Sequence, residues 1–405
     1  MKAGGRGVAE GHSRFSIAKA LVTAQIALSL VLVVSAGLLL GSFTKLANLD
    51  PGFRPAGVLV VTVDARNAST DEARRGELYQ RMLERARALP GVTSASIADL
   101  TPISGSSWND EIYVDGLTLK SGRDALVYFN RVSDRHFTTM GTALVAGRDF
   151  GAQDTPESPQ VAIVNDAMAK KFFAGSAIGK HFRIKEGDAL QPLVEIVGVV
   201  KDAKYKDLRE ETLPTAYYAA TQIAKPGSFI SFVLRGDGSA LALTNGFKSV
   251  AAEADPRLSL RFVSLEEQLA TSLTRERLLA TLSGFFGALA LLLATIGLYG
   301  IMSYNVARRR SEIGVRIALG AARPRVVRMV LGEVGRMVVI GLAIGGVAAA
   351  ASTRLMKTLL YGLSPSDPTT LAASGAVLLV VALAAGLVPA LRASRLDPMD
   401  ALREE

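Results

Sequence analysis

Few residues in this chain have types and spacing that suggest chemistry. The segment from Gly175 to His181 reads GSAIGKH and is close to a phosphate-binding loop. Such a loop needs four residues between its glycines, and a serine or threonine after its lysine to hold magnesium. Here three residues separate the glycines, and His181 takes the hydroxyl position. We therefore interpret the segment as a glycine turn that leads into a strand at Phe182.

Other catalytic and metal-binding patterns are missing from the sequence. It has no cysteine, which excludes disulfides and thiolate metal sites. The three histidines, His12, His136 and His181, show no ligand spacing, and no GxSxG or HExxH signature occurs. The long apolar segments carry no ionisable residue near their middle, and we identify only Gln25, in the first of them, as strongly polar. An ion-coupled carrier needs such groups, so we predict a non-catalytic membrane subunit that binds no cofactor or metal and draws its energy from a partner.

The strongest charge pattern lies in the segment from Val306 to Glu333. This segment contains seven arginines but only one acidic residue, Glu312, before Glu333. Beside membrane spans, such a segment is expected on the cytoplasmic side. Most of the formal net charge of +9 lies here and in residues 1–19. The basicity therefore indicates membrane orientation, and it does not require nucleic acid as a partner.

Within this segment the spacing predicts a short amphipathic helix on the membrane surface. Ile313, Ile317 and Ala318 recur at helical spacing, while Glu312 and Arg316 lie four residues apart on a neighbouring face. A plain positive-inside loop is the alternative interpretation. The Ala-Leu-Gly-Ala turn favours a docking helix that is apolar toward the bundle and charged toward a partner, with Gly320 ending it.

Four apolar segments are predicted to cross the membrane. The first follows a basic start, as in a signal peptide, but its length favours a membrane span. The predicted organisation is 1–19 cytoplasmic N-terminus, 20–43 transmembrane helix 1, 44–277 periplasmic domain, 278–307 transmembrane helix 2, 308–333 cytoplasmic coupling helix and loop, 334–353 transmembrane helix 3, 354–368 periplasmic loop, 369–391 transmembrane helix 4 and 392–405 cytoplasmic tail. Small residues predicted to permit close helix packing are Gly284, Gly287, Gly297, Gly300, Gly341, Gly345 and Gly346.

The region between the first two spans predicts a large extracytoplasmic α+β domain of two subdomains. Val58 to Asp64 and Val92 to Leu100 are predicted strands joined by a helix, which gives a βαβ-like unit. The second part is richer in strands, predicted at 111–114, 126–132, 160–164, 181–184, 194–200, 228–235 and 258–262. A helix beginning at Ser264 is expected to run without interruption into the second span.

The order of span, large domain, span, basic helix, span, short loop and span resembles the MacB/FtsX-type ABC transporter permeases. The sequence from Arg309 to Ala321, RRSEIGVRIALGA, is similar to that family's cytoplasmic signature, and the sequence from Pro389 to Arg403 resembles its usual ending. Leu89 to Val92 and Glu195 to Asp202 resemble sequence segments of the MacB-like periplasmic core domain. The chain also resembles one half of a duplicated permease, so the sequence leaves open a split gene or a fragment.

The resemblance implies a homodimeric or paired permease in the inner membrane. A separate ABC ATPase subunit would use ATP and dock on the basic helix, through Arg309, Arg310, Glu312, Ile313, Arg316, Ala318, Leu319, Gly320 and Ala321. The expected activity is mechanotransmission for export or extraction of a hydrophobic client such as an antibiotic, lipid or lipoprotein. The resemblance also allows a periplasmic adaptor as a further partner. Two alternatives are an FtsX-like regulator that activates a periplasmic cell-wall hydrolase, and an anchored adhesion or sensor domain without an ATPase.

Overall fold

The protein divides into two compact units, a helical unit and a sheet unit. The computed structural model describes residues 6–117, 119, 122–186, 189–319 and 321–395. The sheet unit is Leu49–Leu273, and the helical unit consists of the chain up to Asn48 and from Thr274 onward. The inserted position of the sheet unit agrees with the predicted domain between the first and second spans.

Helices and strands are numbered in chain order over the described residues. The helices are α1 (Arg6–Ala47), α2 (Arg75–Arg87), α3 (Gly122–Ala125), α4 (His136–Met140), α5 (Asp166–Phe173), α6 (Ala240–Ala254), α7 (Leu265–Ser272), α8 (Thr274–Arg308), α9 (Arg310–Ala318), α10 (Arg323–Leu355) and α11 (Pro368–Ala393). The strands are β1 (Val58–Asp64), β2 (Val92–Ala98), β3 (Trp108–Tyr113), β4 (Leu126–Val132), β5 (Leu144–Gly147), β6 (Val161–Asn165), β7 (His181–Glu186), β8 (Ala189–Leu190), β9 (Val194–Val200), β10 (Thr215–Ala219), β11 (Phe229–Gly236) and β12 (Ser259–Ser264).

Four helices in the described part of the chain are long and apolar enough to cross a membrane. They are Ile17–Ala47 within α1, and the whole of α8, α10 and α11. Their lengths of 26 to 35 residues exceed the roughly 20 needed to cross a hydrocarbon core of about 30 Å. The predicted fold class, an α+β membrane protein with four transmembrane helices and a large domain between the first two, is confirmed.

Glycines allow the spanning helices to approach closely. A Cβ atom at Gly345 of α10 would lie 2.8 Å from the carbonyl oxygen of Ala27 in α1, and one at Gly341 would lie 2.6 Å from Ile26 Cγ2. Contacts this short leave no room for a side chain, so the helix backbones themselves meet. The close-packing prediction is confirmed for Gly287, Gly297, Gly341 and Gly345. It is wrong within this chain for Gly284, Gly300 and Gly346, where an added Cβ would meet nothing within 4 Å.

The helical unit has two distinct ends. At one end, Lys45 Nζ donates to the carbonyl oxygen of Gly362 at 2.6 Å, so α1 ends beside the loop that joins α10 and α11. At the other end, Arg392 near the end of α11 donates to the hydroxyl of Tyr299 in α8 at 3.0 Å. Because consecutive spans alternate in direction, the segment between α8 and α10 belongs to the second end. The chain passes from the helical unit into the sheet unit after Asn48.

The first half of the sheet unit has the strand order β2-β11-β1-β12. β11 is antiparallel to both β1 and β2, so these two predicted strands run in the same direction but do not pair. The expectation of a simple βαβ-like unit therefore missed the insertion of a strand that comes more than 120 residues later in the sequence. Buried residues of α2 and α6 pack on this sheet, among them Leu78, Met82 and Phe247 with Phe232 of β11.

The second half of the sheet unit has its own apolar core. Its strands follow the order β10-β6-β9-β7-β3-β4, with β5 beside β9 and β8 beside β7. Phe129 and Tyr218 stack with ring centroids 5.7 Å apart, and Trp108 lies 5.2 Å from Phe129. The two halves have separate cores, which agrees with two subdomains. The predicted membership was wrong for β11 and β12, which were placed in the second part but belong to the first half of the sheet. Strands β5, β8 and β10 were not predicted.

The helix predicted to run unbroken from Ser264 into the second span is interrupted at Leu273. Ser264 does cap α7, since its hydroxyl accepts from the Glu267 N–H at 3.1 Å. At the other end of α7, the Ser272 hydroxyl donates to the carbonyl oxygen of Leu269 at 2.7 Å. Leu273 N–H then bonds to Ala270 instead, which tightens the turn and ends the helix.

Candidate functional site

The predicted docking helix forms as α9, a nine-residue helix at the arginine-rich end of the bundle. Its apolar anchor is Ile313, which is 1% exposed and packs against Val326 of α10 and Ala393 of α11. Ile317 is partly buried against the same cluster. This confirms the predicted orientation of the apolar face toward the bundle for Ile313 and Ile317. The prediction is wrong for Ala318, which lies one residue past Ile317 and is exposed. Burying one such side chain contributes roughly 1.5–3 kcal/mol, which is enough to seat a short helix.

Ion pairs fix the charged face of α9. Arg316 contacts Glu312 at 2.7 Å, as their four-residue spacing predicts. Arg309, just before the helix, contacts Glu333 of α10 at 2.7 Å and Glu312 at 3.8 Å. Both groups of the first pair are about half exposed. Exposed pairs contribute only tenths of a kcal/mol, so these contacts orient α9 more than they stabilise it.

The end of α9 presents an apolar side chain to solvent. Leu319 follows the last helical residue and is 82% exposed. Ala321 N–H donates to the carbonyl oxygen of Arg316 at 2.9 Å, a six-residue closure of the Schellman kind. Gly320, predicted to end the helix, lies outside the described residues. Leu319 is therefore an apolar side chain on the same exposed element as Glu312 and Arg316.

The predicted docking residues therefore separate into three groups. Ile313 is buried inside the bundle and supports the helix, Arg309 is held by Glu333, and Arg310 is half-buried and engaged in contacts. Glu312, Arg316, Ala318 and Leu319 lie exposed on one element. Ala321 is half-buried and closes the turn.

Two residues behind α9 were missed by the sequence analysis. Asn305 of α8 is 6% exposed, and neither atom of its side-chain amide has a hydrogen-bond partner among the described residues. It borders a void of about 10 Å³ that is also lined by Ile313 and Glu333. Glu333 carries the ion pair to Arg309. Asn305 could have been found from the sequence, because it is an amide within a predicted apolar span. For Glu333 the only signal was its negative charge.

Comparisons with known proteins bear on both units. A model of the MacB-like periplasmic core domain matches residues 20–250, and a model of the FtsX-like permease C-terminal matches residues 284–398. The macrolide export ATP-binding/permease protein MacB of Rhodopseudomonas palustris is 26% identical over 341 residues, which cover 78% of this chain and 50% of that protein. The uncharacterized ABC transporter permease YknZ of Bacillus subtilis is 27% identical over 296 residues, covering 68% of this chain and 70% of that protein.

A solved structure is also similar. The periplasmic region of MacB from Actinobacillus actinomycetemcomitans matches with a TM-score of 0.37 and 14% sequence identity, covering 55% of this chain and 94% of that one. The chain spans about half the length of the MacB relatives that it matches.

Proposed function

This chain belongs to the MacB/FtsX-type ABC transporter permeases, and on that premise we propose that it is a permease subunit that works by mechanotransmission. A separate ATPase subunit hydrolyses ATP and drives movement of α9, and the bundle passes this movement to the periplasmic domain. The domain then exports or extracts a hydrophobic client such as an antibiotic, a lipid or a lipoprotein. The relatives support this proposal by their names, which mention macrolide export and ABC transporter permease.

The observation that carries the proposal is the construction of α9. Its apolar side is fixed in the bundle through Ile313, whereas Leu319 and the Glu312–Arg316 pair are exposed. A helix seated in this way transmits a push on its outer face to α10 and α11, since Ile313 contacts residues of both. A solvated positive loop would need neither the buried anchor nor the exposed leucine.

The proposal also covers the membrane, the oligomeric state and the partners of the subunit. The chain functions in the inner membrane as a homodimer or as one of a pair of permeases, because one bundle offers one α9 and ABC ATPases work in pairs. A periplasmic adaptor joins the assembly where the client must travel further. The chain itself binds no cofactor, and ATP is used only by the partner.

The experiment uses the Leu319→Asp variant in the full chain. Wild-type chain and variant are purified in mild detergent, and the recovered ABC ATPase is identified by mass spectrometry and quantified by its ATP hydrolysis. A central apolar contact that is replaced by a charge should weaken association at least about tenfold. The matched control is Leu355→Asp at the opposite end of α10, because Leu355 is 86% exposed, close to Leu319. This control should bind the ATPase like the wild-type chain.

Two outcomes contradict the proposal. If the chain recovers a cell-wall hydrolase and deleting the ATPase leaves client export unchanged, the chain is a regulator of the FtsX-like kind. If Leu319→Asp and a Glu312→Arg, Arg316→Asp double variant both bind the ATPase normally, α9 is not the docking element.

A further inference from the structure

We propose that a groove between α10 and α11, at the arginine-rich end of the bundle, binds the headgroup of an anionic phospholipid. The groove is open and has a volume of about 620 Å³. It lies beside α9 but shares none of the docking residues. The inference concerns a ligand of the bundle itself, and it goes beyond the proposed coupling to an ATPase.

The lining of the groove has two chemical parts. Its apolar lining residues, here called the floor, are Val327, Leu331 and Gly332 of α10 and Leu391 of α11. Its basic lining residues, here called the rim, are Arg323, Arg328 and Arg395, and Pro324 and Ser394 complete the lining. An apolar floor beside a cationic rim matches the two halves of a phospholipid, whose acyl chains and phosphate need these surroundings.

The three rim arginines are unpaired among the residues that the structure describes, and no carboxylate lines the groove. Two other arginines at the same end of the bundle have carboxylate partners. Arg309 and Arg316 contact Glu333 and Glu312 at 2.7 Å each. Three guanidinium groups around one opening, with no counter-ion among the described residues, attract a phosphate, which can accept paired hydrogen bonds from each of them.

The position of the groove selects a lipid over a soluble anion. Its walls are the ends of two membrane-spanning helices, and Leu331 lies about two turns into α10 from Arg323. Arginine side chains at this depth extend toward the headgroup region while their stems cover apolar surface. A free phosphate would use the rim and leave the floor exposed, whereas a phospholipid covers both.

Gly332 provides a way to fill the floor without disturbing the fold. A Cβ atom added there would meet nothing within 4 Å. Gly335, one turn further along α10 and outside the groove, is equally open. Leucine at either position is compatible with the helix and improves its local propensity. Only the change at Gly332 occupies the proposed site.

The test measures phospholipid retention by the full chain without any ATPase. The chain is reconstituted in nanodiscs of phosphatidylcholine with and without phosphatidylglycerol. The lipids that stay bound when it is released are counted by native mass spectrometry. Arg323→Gln, Arg328→Gln and Arg395→Gln should each lower the affinity for phosphatidylglycerol about fivefold. The matched control Arg325→Gln removes the same charge from the same turn of α10 but from outside the groove, and should retain the lipid. Gly332→Leu should lose it, and Gly335→Leu should keep it.

Three results would overturn the proposal. Equal losses in Arg325→Gln and the rim variants would show general attraction to a charged leaflet. Displacement of the lipid by millimolar inorganic phosphate would show a site for a soluble anion. Retained lipid in the rim variants, together with lost ATPase binding when the same variants are compared in the detergent pull-down described above, would make the groove part of the ATPase contact. Melting curves of each variant separate these results from misfolding.

Discussion

The helical bundle and the sheet unit hold their cores together by different means. In the bundle, helices meet at glycines such as Gly345, where an added Cβ would lie 2.8 Å from the Ala27 carbonyl oxygen. In the sheet unit, buried polar groups form hydrogen-bonded sets. His136 is fully buried, and its ring nitrogens lie 3.2 Å from the hydroxyls of Ser96 and Tyr205.

The solvent of each unit explains this difference. Apolar helices gain little by leaving lipid for one another, so close backbone contact must hold them together. In water, burial of apolar area supplies the stability, and polar groups inside must find partners or cost free energy. The bundle should therefore be damaged most by added volume, and the sheet unit most by a lost polar partner.

The largest expected effect comes from added volume in the bundle. Gly345→Val places branched carbons where Ala27 backbone atoms already lie within 2.9 Å of a Cβ. We expect a loss of about 3 kcal/mol or more, at the upper end of the usual cost of overpacking. Thermal unfolding of the full chain in detergent measures it. Gly346→Val is the matched control, since nothing lies within 4 Å there. Equal losses in both variants would contradict backbone contact as the cause.

A lost partner in the sheet unit should have the next largest effect. Asp154 is 3% exposed and accepts from both terminal nitrogens of Arg148 at 2.8 Å. Asp154→Asn keeps the shape but removes the charge, and should cost about 2 kcal/mol. Asp166→Asn is the control, because its pair with Lys170 is exposed and should cost under about 0.5 kcal/mol. Both values come from chemical unfolding followed by near-ultraviolet circular dichroism.

The Asp154 contribution should also depend on pH. Burial acts to raise the pKa of Asp154, but hydrogen bonds from Arg148 and Gly151 lower it below the usual value of the carboxyl. A carboxyl with a lowered pKa stabilises the fold above its unfolded pKa of about 3.9. This stabilisation is therefore complete at neutral pH and is lost as the pH falls through the folded pKa. Asp154→Asn should unfold with a weaker acid dependence than the wild-type chain.

His136 gives a pH dependence in a different range. Burial lowers its pKa to about 3, while an unfolded histidine has a pKa of about 6.5. The unfolded chain therefore binds a proton first, and stability falls as the pH drops below about 6.5. The expected slope is about 1.4 kcal/mol per pH unit until the folded pKa is reached. His136→Gln should remove this slope even if it lowers stability overall. An unchanged slope in the variant would assign the dependence to other groups.

Local patterns predicted the elements of this fold better than their arrangement. Strand β1 was placed correctly because its apolar, β-branched run is bounded by turn residues. The pairing of β1 with β11 could not be predicted, because it joins Val60 to Val233 and neither strand's sequence indicates which strand it pairs with. β10 was missed because its five residues, TAYYA, are too short to show a period.

The candidate site shows the same limit. Spacing predicted the Glu312–Arg316 pair and the apolar face that carries Ile313, since both follow from the helical repeat of α9. The residues that bury Ile313 belong to α10 and α11. Asn305 and Glu333 reach α9 from other helices, so their roles depend on bundle packing that sequence does not encode locally. The groove between α10 and α11 was missed for that reason also.

The smallest expected effect tests whether the charged face of α9 stabilises the helix or serves as a contact surface. Glu312→Gln removes an ion pair whose side chains are 47% and 50% exposed, so stability should change by only about 0.3–0.5 kcal/mol. Ile313→Ala removes the buried anchor and should cost about 2 kcal/mol or more. If α9 is a docking surface, Glu312→Gln should weaken ATPase binding while leaving the melting temperature nearly unchanged. A large loss of stability in Glu312→Gln would instead mean that the charged face holds the helix in place, as the polar sets do in the sheet unit.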